Sequence, residues 1–196
     1  MKLDITEEQS LWVSLHDGVL ESLTSDRLAR SVTLIVDVPY IWQFHALPDT
    51  SRFHVVVEHV RNTTALDFMP WPGRFEMPQS LTWDEQQVVH TKIYGQGRLQ
   101  STDWDVMAAK LQASEDYEIT NASLALAQDA SLVLRLHLMN SVTNDYPQIE
   151  ITGGNVCFCL HPENRELSLE QFIAMGGQYW EDFGKGTHRR ASSTEH

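Results

Sequence analysis

Two runs of strict alternation constrain this chain more than anything else in it. In "SVTLIVDV", residues 31–38, the apolar Val32, Leu34, Val36 and Val38 alternate with Ser31, Thr33, Ile35 and Asp37. Leu132, Leu134, Leu136 and Leu138 repeat the pattern in "SLVLRLHL", residues 131–138. Side chains of an extended strand point alternately to opposite faces, so each run can bury one face and wet the other. A helix would scatter the same residues around its axis. A second β-like segment and a polar turn precede each run: residues 19–25 with a turn from Asp26 to Arg30, and "YEITNASLAL" with a turn near Gln128 to Ser131. Two amphipathic hairpins are expected. Their shared length and period are what a duplication would leave, with halves 1–68 and 80–183 around an irregular connection 69–79. Any two amphipathic hairpins look alike, however, and periodicity does not choose.

The other elements follow by the same reasoning. "FHVVVEHV" at 53–60 continues the β signal, "TTALDF" extends it after a bend, and "QIEITGGNVCFCLH" supplies two short strands around Gly153–Gly154. Pro39 lacks the donor needed to prolong its strand, and Pro70, Pro72 and Pro78 make a regular helix or central strand hard to sustain through their stretch. Thr6 with Gln9 has capping-box spacing and predicts a helix to about Val13. Thr102 or Asp103 can cap "STDWDVMAAKLQ", whose Trp104, Met107, Ala108 and Leu111 form one stripe. Ser168 and Gln171 form a second box before "LEQFIAM", and Gly176–Gly177 is expected to end that helix. Together these predict one α+β domain over residues 1–183: a bent, mainly antiparallel sheet with two or three helices packed on one face. Residues 184–196 have little to bury and are expected to form a mobile tail.

Composition narrows the function. The net charge is −13 with His neutral, which repels phosphate backbones and argues against nucleic acid as a partner. A basic protein would be attracted. The start lacks the basic and apolar regions of a signal peptide, and no stretch reaches the roughly 20 apolar residues that cross a bilayer. Two cysteines make no disulfide framework. A cytoplasmic protein with no membrane partner is the expectation.

The run "LHDGVLESLTSDRLARSVTLIVDV" carries His16, Asp17, Leu20 and then the apolar positions of 32–38. It resembles a recurrent opening of small bacterial domains of uncharacterised function, some of them immunity proteins of toxin systems. The likeness covers residues 15–38 well and 53–69 loosely. It implies a toxin-like protein partner and brings no catalytic residues with it.

Several constellations could carry chemistry. His16–Asp17 could be a general base and its orienting carboxylate. Neighbours in an extended segment point apart, though, and an Asp before Gly18 suits a turn. Cys157, Cys159 and His161 share one strand face and are all metal-capable, yet i and i+4 on a strand lie about 13 Å apart. His54, Glu58 and His59 do not reproduce the helical HExxH spacing, "YGQGRL" lacks the rest of a phosphate loop, and "RRASS" is a basic-directed phosphorylation string. Two features favour binding: six tryptophans, Trp71 among them in the Pro-rich stretch, and the acidic Glu115, Asp116 and Glu118. The expected function is a non-catalytic acidic protein-binding module of immunity or inhibitor type, without a cofactor, using Glu115, Asp116, Glu118 and Trp71. Two alternatives stand beside it: a metal-dependent enzyme or sensor built on Cys157, Cys159 and His161, and a small-molecule-binding domain.

Overall fold

The computed structural model describes residues 8–69, 98–114, 117–143 and 145–185. In chain order its elements are β1 (Gln9–Ser10), α1 (Trp12–Leu15), β2 (Gly18–Asp26), β3 (Ser31–Asp37), α2 (Pro39–Phe44), β4 (Arg52–Glu58), β5 (Asn62–Met69) and β6 (Arg98–Thr102). Then come α3 (Trp104–Gln112), β7 (Glu118–Leu126), β8 (Leu132–Met139), β9 (Gln148–Gly153), β10 (Asn155–His161), β11 (Arg165–Leu167) and α4 (Leu169–Gly184). The 11 strands form one open sheet, in the order β11-β10-β4-β3-β2-β7-β8-β9-β5-β6 with β1 on β7. Every pairing is antiparallel.

The two alternating runs become β3 and β8, and their apolar positions are buried. Each is reached through a turn with one left-handed residue, Arg30 at φ 51° and Ala130 at φ 58°. β2 and β7 each carry a bulge soon after they begin, between Leu20 and Ser22 and between Ile119 and Asn121. They meet only at their starts, where Gly18 faces Ile119 and Val19 faces Glu118. That short seam joins the two hairpins into one sheet.

β4 and β5 are two legs of one bent strand, and β9 and β10 of another. The two pair along their whole length: Arg52 with His161, Glu58 with Asn155, then Asn62 with Thr152 and Leu66 with Gln148. At the crossing a Cβ on Gly153 would lie 2.5 Å from Val57 Cγ1 and 2.7 Å from the Glu58 carbonyl oxygen, so only glycine fits.

This crossing makes the strand order read alike from both ends. Counted from β2 and from β7, each run of five strands ends in a helix, α3 or α4, and sends its fourth and fifth strands to the other run's third, with α2 an addition to the first run. Equivalent positions follow from the register. Ala65 pairs with Ile149 and Thr102, while Phe158 pairs with Val55 and Leu167. The next residues, Asp103 and Ser168, are the N-caps of α3 and α4, and the buried Met107 and Phe172 each lie four residues beyond.

Helix α3 packs on β2 and β5. The Nζ of Lys110 lies 2.8 Å from Asp67 on β5 and 2.6 Å from Asp145, which also accepts the Tyr117 hydroxyl at 2.5 Å. On α4, Phe172 stacks on Phe158 at 4.3 Å and meets Phe53 edge-on at 5.0 Å, inside one continuous core.

Three expectations need correction. Gln9 lies in β1 and the first helix spans Trp12–Leu15, because pairing of Gln9 and Ser10 with Leu124 and Ser123 outcompetes a local capping box. Helix α4 passes through Gly176 and Gly177 to Gly184. Four helices lie among the described residues, where two or three were expected, since Pro39 opens α2 at its first position as well as ending β3. Of these, α1, α2 and α4 group together, α3 packs on β2 and β5, and the buried apolar residues of all four belong to one core.

Candidate functional site

The α1, α2 and α4 group gathers the aromatic residues that the strands leave over. Leu11 and Leu15 anchor the single turn of α1 in the core, and the buried Ser14 hydroxyl donates to the Phe172 carbonyl at 2.7 Å. Backbone approach here is very close. A Cβ on Gly176 would lie 1.9 Å from the Val13 carbonyl oxygen. That oxygen accepts Trp180 Nε1–H at 3.0 Å and the Tyr40 hydroxyl at 3.3 Å, so one acceptor laces three helices together. Burial pushes the Tyr40 phenol well above its ordinary value, which keeps it a neutral donor.

The rings form a continuous cluster, stacked, tilted or edge-on. Trp12 lies 5.1 Å from Trp180, Tyr40 lies 4.4 Å from Tyr179, and Phe183 lies 5.7 Å from Trp180. Exposure rises along α4: Phe172 is buried, Trp180 half-buried, and Phe183 52% exposed. Phe44 of α2, 37% exposed, continues the patch beside Tyr179. Asp17, Glu181 and Asp182 adjoin it, with Asp17 60% and Glu181 76% exposed.

His16 closes α1 within this group. Its Nδ1 lies 3.0 Å from Asp17 Oδ1, without hydrogen-bond geometry, and the Trp12 ring is 4.4 Å away. The neighbours do meet, contrary to the extended-strand expectation. They stand at a helix end, where Asp17 takes φ 58°. Their surroundings are aromatic: Trp12 and Trp180 cover the imidazole.

The other sequence candidates lie elsewhere. Cys157, Cys159 and His161 line the outward side of β10, with Cys159 opposite His54 and the His54 and His161 rings stacked at 5.0 Å. Cys157 contacts Asn155 at 3.1 Å and Glu58 at 3.8 Å, and burial raises its thiol pKa. Among the described residues no group of three His, Cys, Asp or Glu side chains can hold a metal ion. Glu118 sits at the seam between β2 and β7, half-buried, so it is no free acidic loop residue. Trp71, Glu115 and Asp116 lie outside the described residues, as do residues 94–97 of "YGQGRL" and all of "RRASS".

Intramolecular ion pairs, many of them at the surface, take up the cations. Every Lys or Arg side chain that the structure describes, apart from Arg30, is ion-paired, and Arg52, Lys110 and Arg135 each hold two carboxylates. Asp49, Glu118, Glu166 and Glu170 are in no ion pair. The described cations are matched by the chain's own carboxylates, and the surplus is anionic.

No protein-family model matches this chain, and neither a curated protein nor a solved structure matches it. No helix among the described residues is long and apolar enough to cross a membrane. The site itself must carry the functional reading.

Proposed function

We propose that this is a non-catalytic binding protein of the immunity or inhibitor kind, whose α1–α2–α4 face engages a basic protein. One observation carries the reading: half-buried Trp and Tyr rings packed against one another beside Asp17 and Asp182, in a chain whose described cations, Lys185 with Glu181 among them, are held by its own groups. Aromatic anchors that are already packed lose little side-chain entropy on association, and adjacent carboxylates steer a cationic partner. The helices are laced at the Val13 carbonyl, so the face is held rigid before any partner arrives.

The test uses the immobilised chain and a cell extract at about 0.1 M and about 1 M salt, where the Debye length falls from about 10 Å to about 3 Å. A partner of basic isoelectric point is expected at low salt, diminished at high salt, and lost with the double variant Phe44→Ser, Phe183→Ser. Both positions are exposed, so folding should survive and can be checked by melting. Capture that is indifferent to the variant, or no basic protein retained at all, overturns the proposal.

A further inference from the structure

A cleft of about 300 Å³ lies between the tip of the β2–β3 hairpin, the bend before β5 and the first turn of α3. It shares no residue with the aromatic face and is independent of the reading given for that face. The charged groups on its wall are Asp26, Arg27, Arg30, Asp103 and Asp105, with the Trp104 indole beside them. Ser25, Ser31 and Thr63 add hydroxyls, and Val32 and Val60 are its apolar parts.

The repeated strand order supplies an internal control on what the fold itself requires here. The residue after the helix cap is Trp104 in α3 and the buried Leu169 in α4. The left-handed turn residue is Arg30 in one hairpin and Ala130 in the other. Ala130 serves the same conformation in the second hairpin, and Leu169 fills the second cap position as Trp104, packed on the core, fills the first, so the architecture asks for a left-handed residue and an apolar one, and neither the guanidinium nor the indole N–H is a requirement of it. They add chemistry on one side only.

The wall is also held in place. Trp104 Nε1–H donates to Ser25 Oγ at 3.0 Å, Arg30 donates twice to the Val60 carbonyl at 3.2 and 3.0 Å, and Arg27 pairs with Asp105. Asp26 Oδ1 accepts Leu28 N–H and Ala29 N–H, while Asp103 Oδ1 accepts Asp105 N–H and Val106 N–H. Each of those two carboxylates keeps a second oxygen.

We infer that this cleft binds a neutral, hydroxyl-rich ligand, a mono- or disaccharide. Two guanidiniums oppose a simple cation, and three carboxylates oppose a simple anion. A sugar hydroxyl donates to a carboxylate and accepts from a guanidinium, which are acceptor-only and donor-only groups respectively. Its C–H face suits an indole whose polar edge is already bonded to Ser25. The volume matches the lower end of small-ligand sites, about 300 to 1,000 Å³.

The experiment is titration calorimetry of the whole chain with glucose, galactose, N-acetylglucosamine, maltose and diacetylchitobiose, and with phosphate and glycine in parallel. At least one saccharide is expected to bind saturably, with a Kd of about 1 mM or tighter, and about tenfold more weakly to Arg27→Ala and Trp104→Phe. Arg27 is 79% exposed, so its removal leaves folding intact and carries the test even if Trp104→Phe does not fold. Absence of saccharide binding, equal or tighter binding of phosphate or glycine, or undiminished binding to Arg27→Ala overturns the inference. None of these outcomes bears on the aromatic face, which the Phe44 and Phe183 variants test separately.

Discussion

Gly176 and Gly177 are neighbours in sequence with opposite duties. A methyl group at Gly176 would strike the Val13 carbonyl oxygen at 1.9 Å and Ser14 Cα at 2.7 Å, whereas one at Gly177 meets nothing within 4 Å. Gly176→Ala should therefore cost about 2–3 kcal/mol through displacement of α1, more than the helix propensity it gains. Gly177→Ala should stabilise by up to about 1 kcal/mol, since only the propensity term remains. Urea unfolding of the two variants checks both signs. Tyr117→Phe should cost about 1–2 kcal/mol by removing the hydroxyl bonded to Asp145, read in the same assay. At this scale the sequence was an uneven guide. The Gly–Gly pair reads as a stop signal because the carbonyl it accommodates lies 163 positions away (176 − 13). His16–Asp17 stands out by residue type, and Trp12 covers it from one turn earlier, but the second covering ring, Trp180, is placed there by no local pattern.

At the scale of elements, legibility followed how local the determinants are. β3 and β8 are visible as alternation, and α3 as a stripe behind a cap, because each pattern is complete within its own segment. α2 is six residues long and buries only Ile41 fully, so it has no stripe to detect. β1 exists only because β7 offers an edge. Capping offers a clean test: Ser168→Ala removes the hydroxyl that accepts Gln171 N–H, leaves the backbone N–H of residue 168 bonded to Gln171 Oε1, and should lower stability by about 1 kcal/mol, measured as a shift in the urea midpoint without a change in slope. Gly153→Ala, placed where two bent strands cross, should cost about 1–3 kcal/mol by pushing Val57 and the Glu58 carbonyl apart.

Over the whole molecule, ionisable groups set a pH window of stability. Burial lowers the His54 pKa, helped by the facing His161, and burial alone lowers that of His137. A lowered imidazole means the unfolded chain takes up protons first, so stability falls as pH drops through about 6.5 and levels off below the folded-state values. Burial also opposes the charge on Lys110, but its bonds to Asp145 and Asp67 outweigh this and raise its pKa. Burial and then Asp145 raise the Tyr117 phenol. Both raised groups favour folding below their ordinary values and lose that contribution as pH climbs past about 10. Urea midpoints should peak between these limits, and His54→Gln should flatten the acid side. An acid limb that His54→Gln leaves unchanged would assign that loss to other groups.

What the sequence determined by itself was the inventory: alternating runs, caps, turns and a strongly negative charge, each encoded within a few residues or by simple addition. Only the tertiary structure decided how the strands are shared, with β5 and β6 beside β9 and with β10 and β11 beside β4. It also decided which rings converge on the Val13 carbonyl and which side chains wall the cleft beside Trp104. The physical reason is range. Periodicity and capping act between neighbours along the chain, whereas a glycine at a crossing, a shared acceptor or a cleft depends on residues that meet only after the sheet has formed.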